Sequence, residues 1–323
     1  MPERIAITGA CGFIGRNLVA ELNARGHHNL LLIDTLGCTD KWRNLLGLRF
    51  DDIEEPETFL NQIELGMHSD LDAILHLGAC SSTTEKDADL LLRNNYRYTR
   101  TLCQWSLDHD VRFIYASSAA TYGDGRNGYS DTSSLDDLTP LNMYGYSKHL
   151  VDQWAERNGL FKHIVGLKYF NVFGPGEDHK GDMRSVVNKA FSQIRKTGKV
   201  QLFKSYRPDY ADGEQVRDFV YVKDAVAVTL YFLEHRDLGG LFNCGTGKAR
   251  SWKDLTHAVF AAMQLPCNIE FIDMPLEMRD KYQYQTQAET TKLRCAGYID
   301  PFTTLEDAVK DYVSYLTATE IKA

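Results

Sequence analysis

The sequence predicts an α/β protein, a doubly wound parallel sheet with a smaller α/β region grown out of it, and three observations predict it. Short apolar runs alternate with stretches of helical periodicity through residues 1–175. A glycine-rich turn separates the first apolar run from the first helical stretch. After Gly174-Pro175-Gly176 the texture changes to longer polar segments.

Arg4-Ile5-Ala6-Ile7-Thr8 reads as a buried strand, since a short apolar run bounded by a turn suits a strand covered on both faces. Phe13 to Arg25 carries apolar residues at helical spacing, and Leu30-Leu31-Leu32-Ile33-Asp34 is a second apolar run. Further strands are expected at Ala73 to Leu77, Val111 to Ala116 and Ile164 to Phe170, with helices around Asp87 to Asp108 and Met143 to Asn158. Strands alternating with helices imply a parallel sheet with both faces covered. Beyond residue 176, Ser205 to Gln215 reads as a binding loop and Phe219 to Val222 as a strand leading into a helix from about Lys223. Leu241 to Gly247 reads as a strand and turn, followed by a helix after Ser251 and another near Thr304 to Leu316. No internal repeat, low-complexity tract or linker divides the chain. Residues 1–175 with about 218–247 are assigned to one domain, which carries the glycine turn, and 176–217 with about 248–323 to a second.

The 323 residues are 43% hydrophobic and 25% charged, enough for a substantial core. A net charge of −8 argues against a broad nucleic-acid-binding face, which needs clustered positive charge. No leader-like opening and no apolar run long enough to span a bilayer is seen, so the protein is expected to be cytoplasmic and free of membrane partners. Seven cysteines lie far apart with no C-x-x-C pair, and the ten histidines form no metal-binding pattern. Reduced thiols and no metal are expected.

Thr8-Gly9-Ala10-Cys11-Gly12-Phe13-Ile14-Gly15 spaces Gly9, Gly12 and Gly15 between strand and helix. Glycine lets the backbone approach a pyrophosphate, and the helix N-terminus supplies free N–H groups. Asp34 ends the second strand 19 residues beyond Gly15, about where a dinucleotide site sets an acid on the adenosine ribose. That carboxylate suits NAD, whereas Arg16, Lys41 and Arg43 could meet a 2′-phosphate, so these residues leave NAD and NADP balanced. Tyr144 and Lys148 stand four apart, side by side on one helical face. A nearby ammonium favours the phenolate, so Lys148 is expected to lower the Tyr144 pKa from about 10 toward neutrality.

With the glycine turn, Ala116 to Gly123 and Tyr144-x-x-x-Lys148 in order, the chain resembles the extended short-chain dehydrogenase/reductases that modify nucleotide sugars, the NAD-dependent epimerase/dehydratase family with a Rossmann-type fold. More narrowly it is similar to members that epimerise C6″ of an ADP-heptose, through His76 to Glu85, Tyr169 to Pro175, His179-Lys180-Gly181, Arg217 to Val222 and Tyr282 to Ala288. The resemblance implies that hydride passes from C6″ to a nicotinamide and returns to the opposite face of a transient 6-keto sugar. Tyr144 would serve as base for one configuration and Lys180 for the other, Lys148 would bind the nicotinamide ribose, and Ser118 would hold the reacting oxygen.

The same resemblance implies that Phe13, Ile14, Asp34, Thr35, Lys41, Leu77, Gly78, Ala79, Cys80, Ser81, Asn94, Lys148, Val172 and Lys180 line the cofactor with the glycines of the turn. Asn171, Asp182, Lys189, Phe203, Lys204, Ser205, Tyr206, Arg217 and Tyr282 would line the substrate. Arg217 suits a diphosphate, because guanidinium offers a planar fork, unless it bridges to Asp218. The family implies NADP with some tolerance for NAD, and a homo-oligomer, a pentameric ring. Ala10-Cys11, Thr35, Asp182 and the long stretch from Ser205 to Val216 depart from the family's pattern. A 4-epimerase of a UDP- or dTDP-sugar and a non-catalytic NAD(P)-binding regulator are the alternatives. A dehydratase is disfavoured, since Ala119 and Ala120 occupy the place where it needs an acid.

Overall fold

The computed structural model describes residues 4–279 and 282–322. Its centre is a parallel sheet of seven strands: β1 (Ile5–Thr8), β2 (Leu30–Ile33), β3 (Asp52–Glu54), β4 (Ala73–His76), β5 (Arg112–Ser118), β6 (Val165–Tyr169) and a later strand, Gly240–Cys244. β1, β2 and β4 are buried along their whole length, which explains why their sequences are continuous apolar runs rather than alternating ones.

Helices α1 (Phe13–Ala24), α2 (Pro56–Glu64), α3 (Ala88–Leu91), α4 (Tyr98–Asp108) and α5 (Met143–Arg157) supply the crossovers. The helix expected over Asp87 to Asp108 is α3 and α4 joined by a π-helical segment, Leu92–Arg97, and Asp87 caps it by accepting from the Leu90 N–H at 2.9 Å. Two apolar clusters fill the two faces of the sheet. One contains Leu18, Leu22, Leu75 and Leu167, and the other Phe59, Leu102, Phe113 and Val151.

The remaining elements are β7 (Asn171–Phe173), α6 (Val186–Thr197), β8 (Val200–Phe203), β9 (Val216–Tyr221), α7 (Val222–Glu234), β10 (Gly240–Cys244, the seventh strand), β11 (Ala249–Ser251), α8 (Trp252–Ala262), β12 (Ile269–Ile272), α9 (Leu276–Arg279), α10 (Thr291–Cys295) and α11 (Leu305–Lys322). β9 lies between β11 and β7 in a three-stranded sheet, and β8 pairs with β12. A third core containing Val187, Phe191, Val259 and Tyr312 holds α6, α8 and α11 around these small sheets. The strands β3, β7, β8, β11 and β12 were not expected from the sequence, because each is short and only partly apolar.

The large sheet runs in the order β10-β6-β5-β4-β1-β2-β3. Its strand order therefore reverses between β1 and β4, and a crevice opens beyond their carboxyl ends, the place where ligands bind in open α/β sheets. The glycine turn follows β1 and the segment Leu77–Ser81 follows β4, so both border that crevice.

Candidate active site

The glycines of the turn act through close approach. Gly9 has φ +68°, and a Cβ there would stand 2.7 Å from the Gly78 nitrogen. A Cβ on Gly15 would stand 2.1 Å from the Gly9 carbonyl oxygen, so α1 reaches the turn only with glycine at that position. Gly12 is the N-cap of α1, with no side-chain cap and no acid in the first turn. The helix thus presents free N–H groups and a positive dipole end to the crevice.

A cleft over this turn is lined by Gly9, Gly12, Phe13, Ile14, Gly15, Asp34, Lys41, Leu77, Gly78, Ala79, Ser81 and Lys180, all of them expected cofactor residues. Thr35, Cys80 and Asn94 line an adjoining cleft that shares Asp34, Lys41, Gly78 and Ala79. Asp34 is already engaged there. Its Oδ2 accepts the Cys11 N–H at 2.8 Å, and its Oδ1 accepts from Lys41 Nζ and from the Thr35 N–H at 2.7 Å. Burial, helped by Asp34, pushes the Cys11 thiol up to about 12, so it stays protonated. Arg16 and Arg43 are directed elsewhere, to the Asn44 carbonyl and to Asp40.

The catalytic candidates converge on the end of β5. Asn142 caps α5, its Oδ1 accepting the Gly145 N–H at 2.8 Å. Gly145 lets the helix settle against the single turn Ala119–Tyr122, for a Cβ there would stand 2.7 Å from the Ala120 oxygen. This close packing brings Tyr144 beside Ser118, whose Oγ accepts the Ala120 N–H at 3.1 Å. Ser118 is therefore both a cap and a neighbour of the phenol. Lys148 is buried, and its Nζ donates to the Ala116 carbonyl at 2.7 Å.

The expectation that Lys148 lowers the Tyr144 pKa is not met. Burial raises the phenol above its usual value, the Ser118 side chain pulls it down, and the Cys80 thiol nearby pushes it up. Lys148 is itself shifted: burial lowers its ammonium to about 8, against an opposing pull from Asp152.

Lys180 stands across the crevice on the turn Asp178–Met183, its ammonium 5.3 Å from the centre of the Phe13 ring. Burial lowers its pKa, and the neighbouring Glu177 opposes that. Lys180 and Met183 border both the cleft over the glycine turn and a further cavity lined by Asn171, Val172, Ser185, Phe219 and Trp252. Val172 thus lies beside Asn171 in that cavity, and it packs on the apolar cluster that contains Phe13.

Besides Asn171, the expected substrate residues fall into three groups. Arg217 is buried, donates to the Val216 carbonyl at 2.9 Å and to the Gln283 carbonyl, and lies against the rings of Trp252 and Tyr282 at 5.5 and 5.2 Å. It makes no ion pair with Asp218, whose carboxylate instead accepts from the N–H groups of Thr246, Gly247 and Ala288. Phe203, Lys204, Ser205 and Tyr206 follow one another at the end of β8, where Lys204 and Tyr206 both reach Asp273 and Arg279 covers the Tyr206 ring at 3.6 Å. Asp182 and Lys189 meet each other, Lys189 Nζ donating to the Asp182 carbonyl at 2.6 Å.

Three residues escaped sequence reasoning. Asn95, beside the expected Asn94, is buried in the π-helical segment and grips Cys80 through both its N–H and its carbonyl. Trp252 joins Arg217 to the further cavity. Asp152 lies one helical turn beyond Lys148 and is fully buried. That i+8 spacing from Tyr144 was the available signal for Asp152.

The sequence matches the NAD dependent epimerase/dehydratase family over residues 5–245. The chain belongs to that family. Over 317 residues it is 51% identical to an ADP-L-glycero-D-manno-heptose-6-epimerase of Nitratidesulfovibrio vulgaris, covering 97% of this chain and 98% of that one. A Fusobacterium nucleatum protein of the same name is 42% identical over 98% of both chains. The crystal structure of the Helicobacter pylori ADP-L-glycero-D-manno-heptose-6-epimerase superposes with a TM-score of 0.81 at 26% identity, covering 98% of this chain and 96% of that one. No helix among the described residues is long and apolar enough to cross a membrane.

Proposed function

We propose that this protein inverts C6″ of ADP-D-glycero-D-manno-heptose, giving ADP-L-glycero-D-manno-heptose through a transient 6-keto sugar, with a tightly held nicotinamide dinucleotide. The reading rests on two candidate proton-transfer groups: Tyr144, beside Ser118 at the end of β5, and Lys180, at the boundary of the cleft over the glycine turn and the next cavity. Removal and return of the hydroxyl proton occur in opposite configurations of C6″, and a base on each side can serve one apiece.

The crevice suits a dinucleotide because the uncapped start of α1 and the glycine turn, which has no room for a Cβ, form a cradle for a pyrophosphate. The nicotinamide supplies reversible hydride acceptance and, when oxidised, a positive charge. Tyr144 takes the hydroxyl proton in one configuration while Ser118 holds the reacting oxygen. Lys180 takes it in the other, and its lowered pKa favours the free amine that a base requires. Lys148 would hold the nicotinamide ribose.

NADP, with NAD accepted, is the cofactor favoured by Lys41 on Asp34 and by Arg93 and Arg97 in the adjoining cleft, cations available to a 2′-phosphate. Arg217, without a carboxylate partner among the described residues, is left to bind the diphosphate, with Tyr282 and Trp252 against its faces. The other expected substrate residues border the sugar and the nucleoside. The large sheet carries the cofactor and the small sheets the sugar nucleotide. The enzyme works in the bacterial cytoplasm as a homo-oligomer, in the supply of heptose for the lipopolysaccharide core.

Incubation of the purified protein with ADP-D-glycero-D-manno-heptose, followed by NMR at C6″, tests this. Inversion at that centre is expected. An unchanged C6″ with conversion of a UDP-hexose would favour the 4-epimerase alternative.

A further inference from the structure

Beneath the site lies a buried ion pair that the proposed reaction does not use. Asp152 and Lys168 are both fully buried, with Lys168 Nζ 2.9 Å from Asp152 Oδ2. The carboxylate also accepts from Tyr115 OH at 2.7 Å and Ser117 Oγ at 2.8 Å, and Lys168 also donates to Thr121 Oγ1 at 2.5 Å. A buried ion pair is seldom worth more to stability than a well-packed apolar pair, so stability alone accounts poorly for this one.

Its position suggests a different account. Tyr144, Lys148 and Asp152 are spaced four apart and form one stripe on α5. That stripe meets the end of β5 residue by residue: Tyr144 lies beside Ser118, Lys148 bonds the Ala116 carbonyl and Asp152 bonds Ser117. Lys168 lies opposite Ser117 in the β5–β6 register and closes the set.

We propose that Asp152 and Lys168 are positioning residues of this site: Asp152 supplies the negative charge that keeps the buried Lys148 an ammonium, and Lys168, paired with Asp152 and bonded to Thr121, tempers that charge and holds the carboxylate against Ser117. Together Lys148, Asp152 and Lys168 carry one net positive charge beneath the site.

The other groups around Lys148 do not take this role. His76 on β4 is neutral, because burial and the Lys148 charge lower it to about 3. Tyr115 on β5 is neutral, raised far above its usual value by burial and Asp152. Asn95 of the π-helical segment is uncharged, and Cys80 lies toward the Tyr144 phenol. Asp152 is the one group that opposes the effect of burial on Lys148.

The inference rests on the reading of Lys148 as a working residue, and its test separates the two. Lysine labelled with 13C at Cε, with Lys148 assigned by Lys148→Arg, reports the Lys148 titration in the full chain independently of turnover, and kcat/KM is followed over the same pH range. Asp152→Asn is expected to lower the Lys148 midpoint by about one pH unit or more, since it removes an adjacent opposite charge. Lys168→Met should raise the midpoint while depressing kcat, and Lys168→Arg should restore the wild-type titration. Asp152→Asn with Lys168→Met removes both charges, spares the fold an unpaired ion, and should titrate between wild type and Asp152→Asn. A Lys148 midpoint unmoved in both Asp152→Asn and the double variant would overturn the proposal. A shifted midpoint with no matching shift in the basic limb of kcat/KM would uphold it and instead contradict the role of Lys148 in turnover.

Discussion

Lys148 donates to the Ala116 carbonyl at 2.7 Å, so the helix that carries Tyr144 is fastened to the strand that ends in Ser118. The proposed base and the serine beside it are held to each other by a buried cation. One consequence is that their spacing depends on packing beneath the crevice as well as on residues lining it.

Tyr144→Phe removes the hydroxyl and keeps the ring. Loss of a positioned general base costs roughly 10²–10⁴ in rate, so kcat should fall by that range while dinucleotide binding, measured by fluorescence titration, persists. Normal epimerisation by this variant would contradict the assignment of the base.

Lys180→Met keeps an apolar chain of similar length and removes the ammonium near the Phe13 ring. A fall in kcat of about 10² or more is expected, with little change in melting temperature because Lys180 is only partly buried. Full activity would show that one base serves both configurations.

Arg217→Lys retains charge and loses the planar fork against Tyr282 and Trp252. Weaker diphosphate binding should appear as a KM raised about tenfold with a smaller change in kcat, from steady-state kinetics. An unchanged KM would remove Arg217 from the diphosphate site.

Lys148 opposes stability near neutral pH. Burial lowers its folded-state pKa from 10.5 to about 8, so the unfolded chain binds more protons between those values. Stability from this group therefore rises as pH increases from about 8 to 10.5, and the penalty is fully present below about 8. Lys148→Met should accordingly raise the unfolding free energy at pH 7 by on the order of 1 kcal/mol, read from urea denaturation, while abolishing activity. Marked destabilisation would mean that the bond to Ala116 outweighs the burial of the charge.

Gly15→Ala sets a Cβ 2.1 Å from the Gly9 oxygen, a backbone atom that moves only with the turn. Destabilisation of about 1–3 kcal/mol, with loss of dinucleotide binding, is expected from thermal melts and titration. Tight cofactor binding in this variant would contradict the close packing of α1 on the turn.

The parallel sheet was legible because β1, β2 and β4 are buried on both faces and must be apolar throughout. The glycine turn was legible because a missing Cβ leaves a mark in sequence. Charge states were not legible: whether Lys148 acts on Tyr144 depends on where its Nζ points and on Asp152, which is remote from the motif and close only on the folded helix. Asn94 and Asn95 are likewise indistinguishable in sequence, and the π-helical register decides which is buried. The partners of Arg217 come from segments brought together by β9, β11 and the chain near Tyr282, so its freedom from Asp218 could not be read from their adjacency.

The central claim, that hydrogen leaves and returns to one carbon within a closed site, is tested most directly with ADP-D-glycero-D-manno-heptose deuterated at C6″. Mass spectrometry and NMR of the product should show C6″ inverted with its deuterium retained. Inversion with washout of the label into solvent would contradict hydride transfer and the roles given to Tyr144 and Lys180.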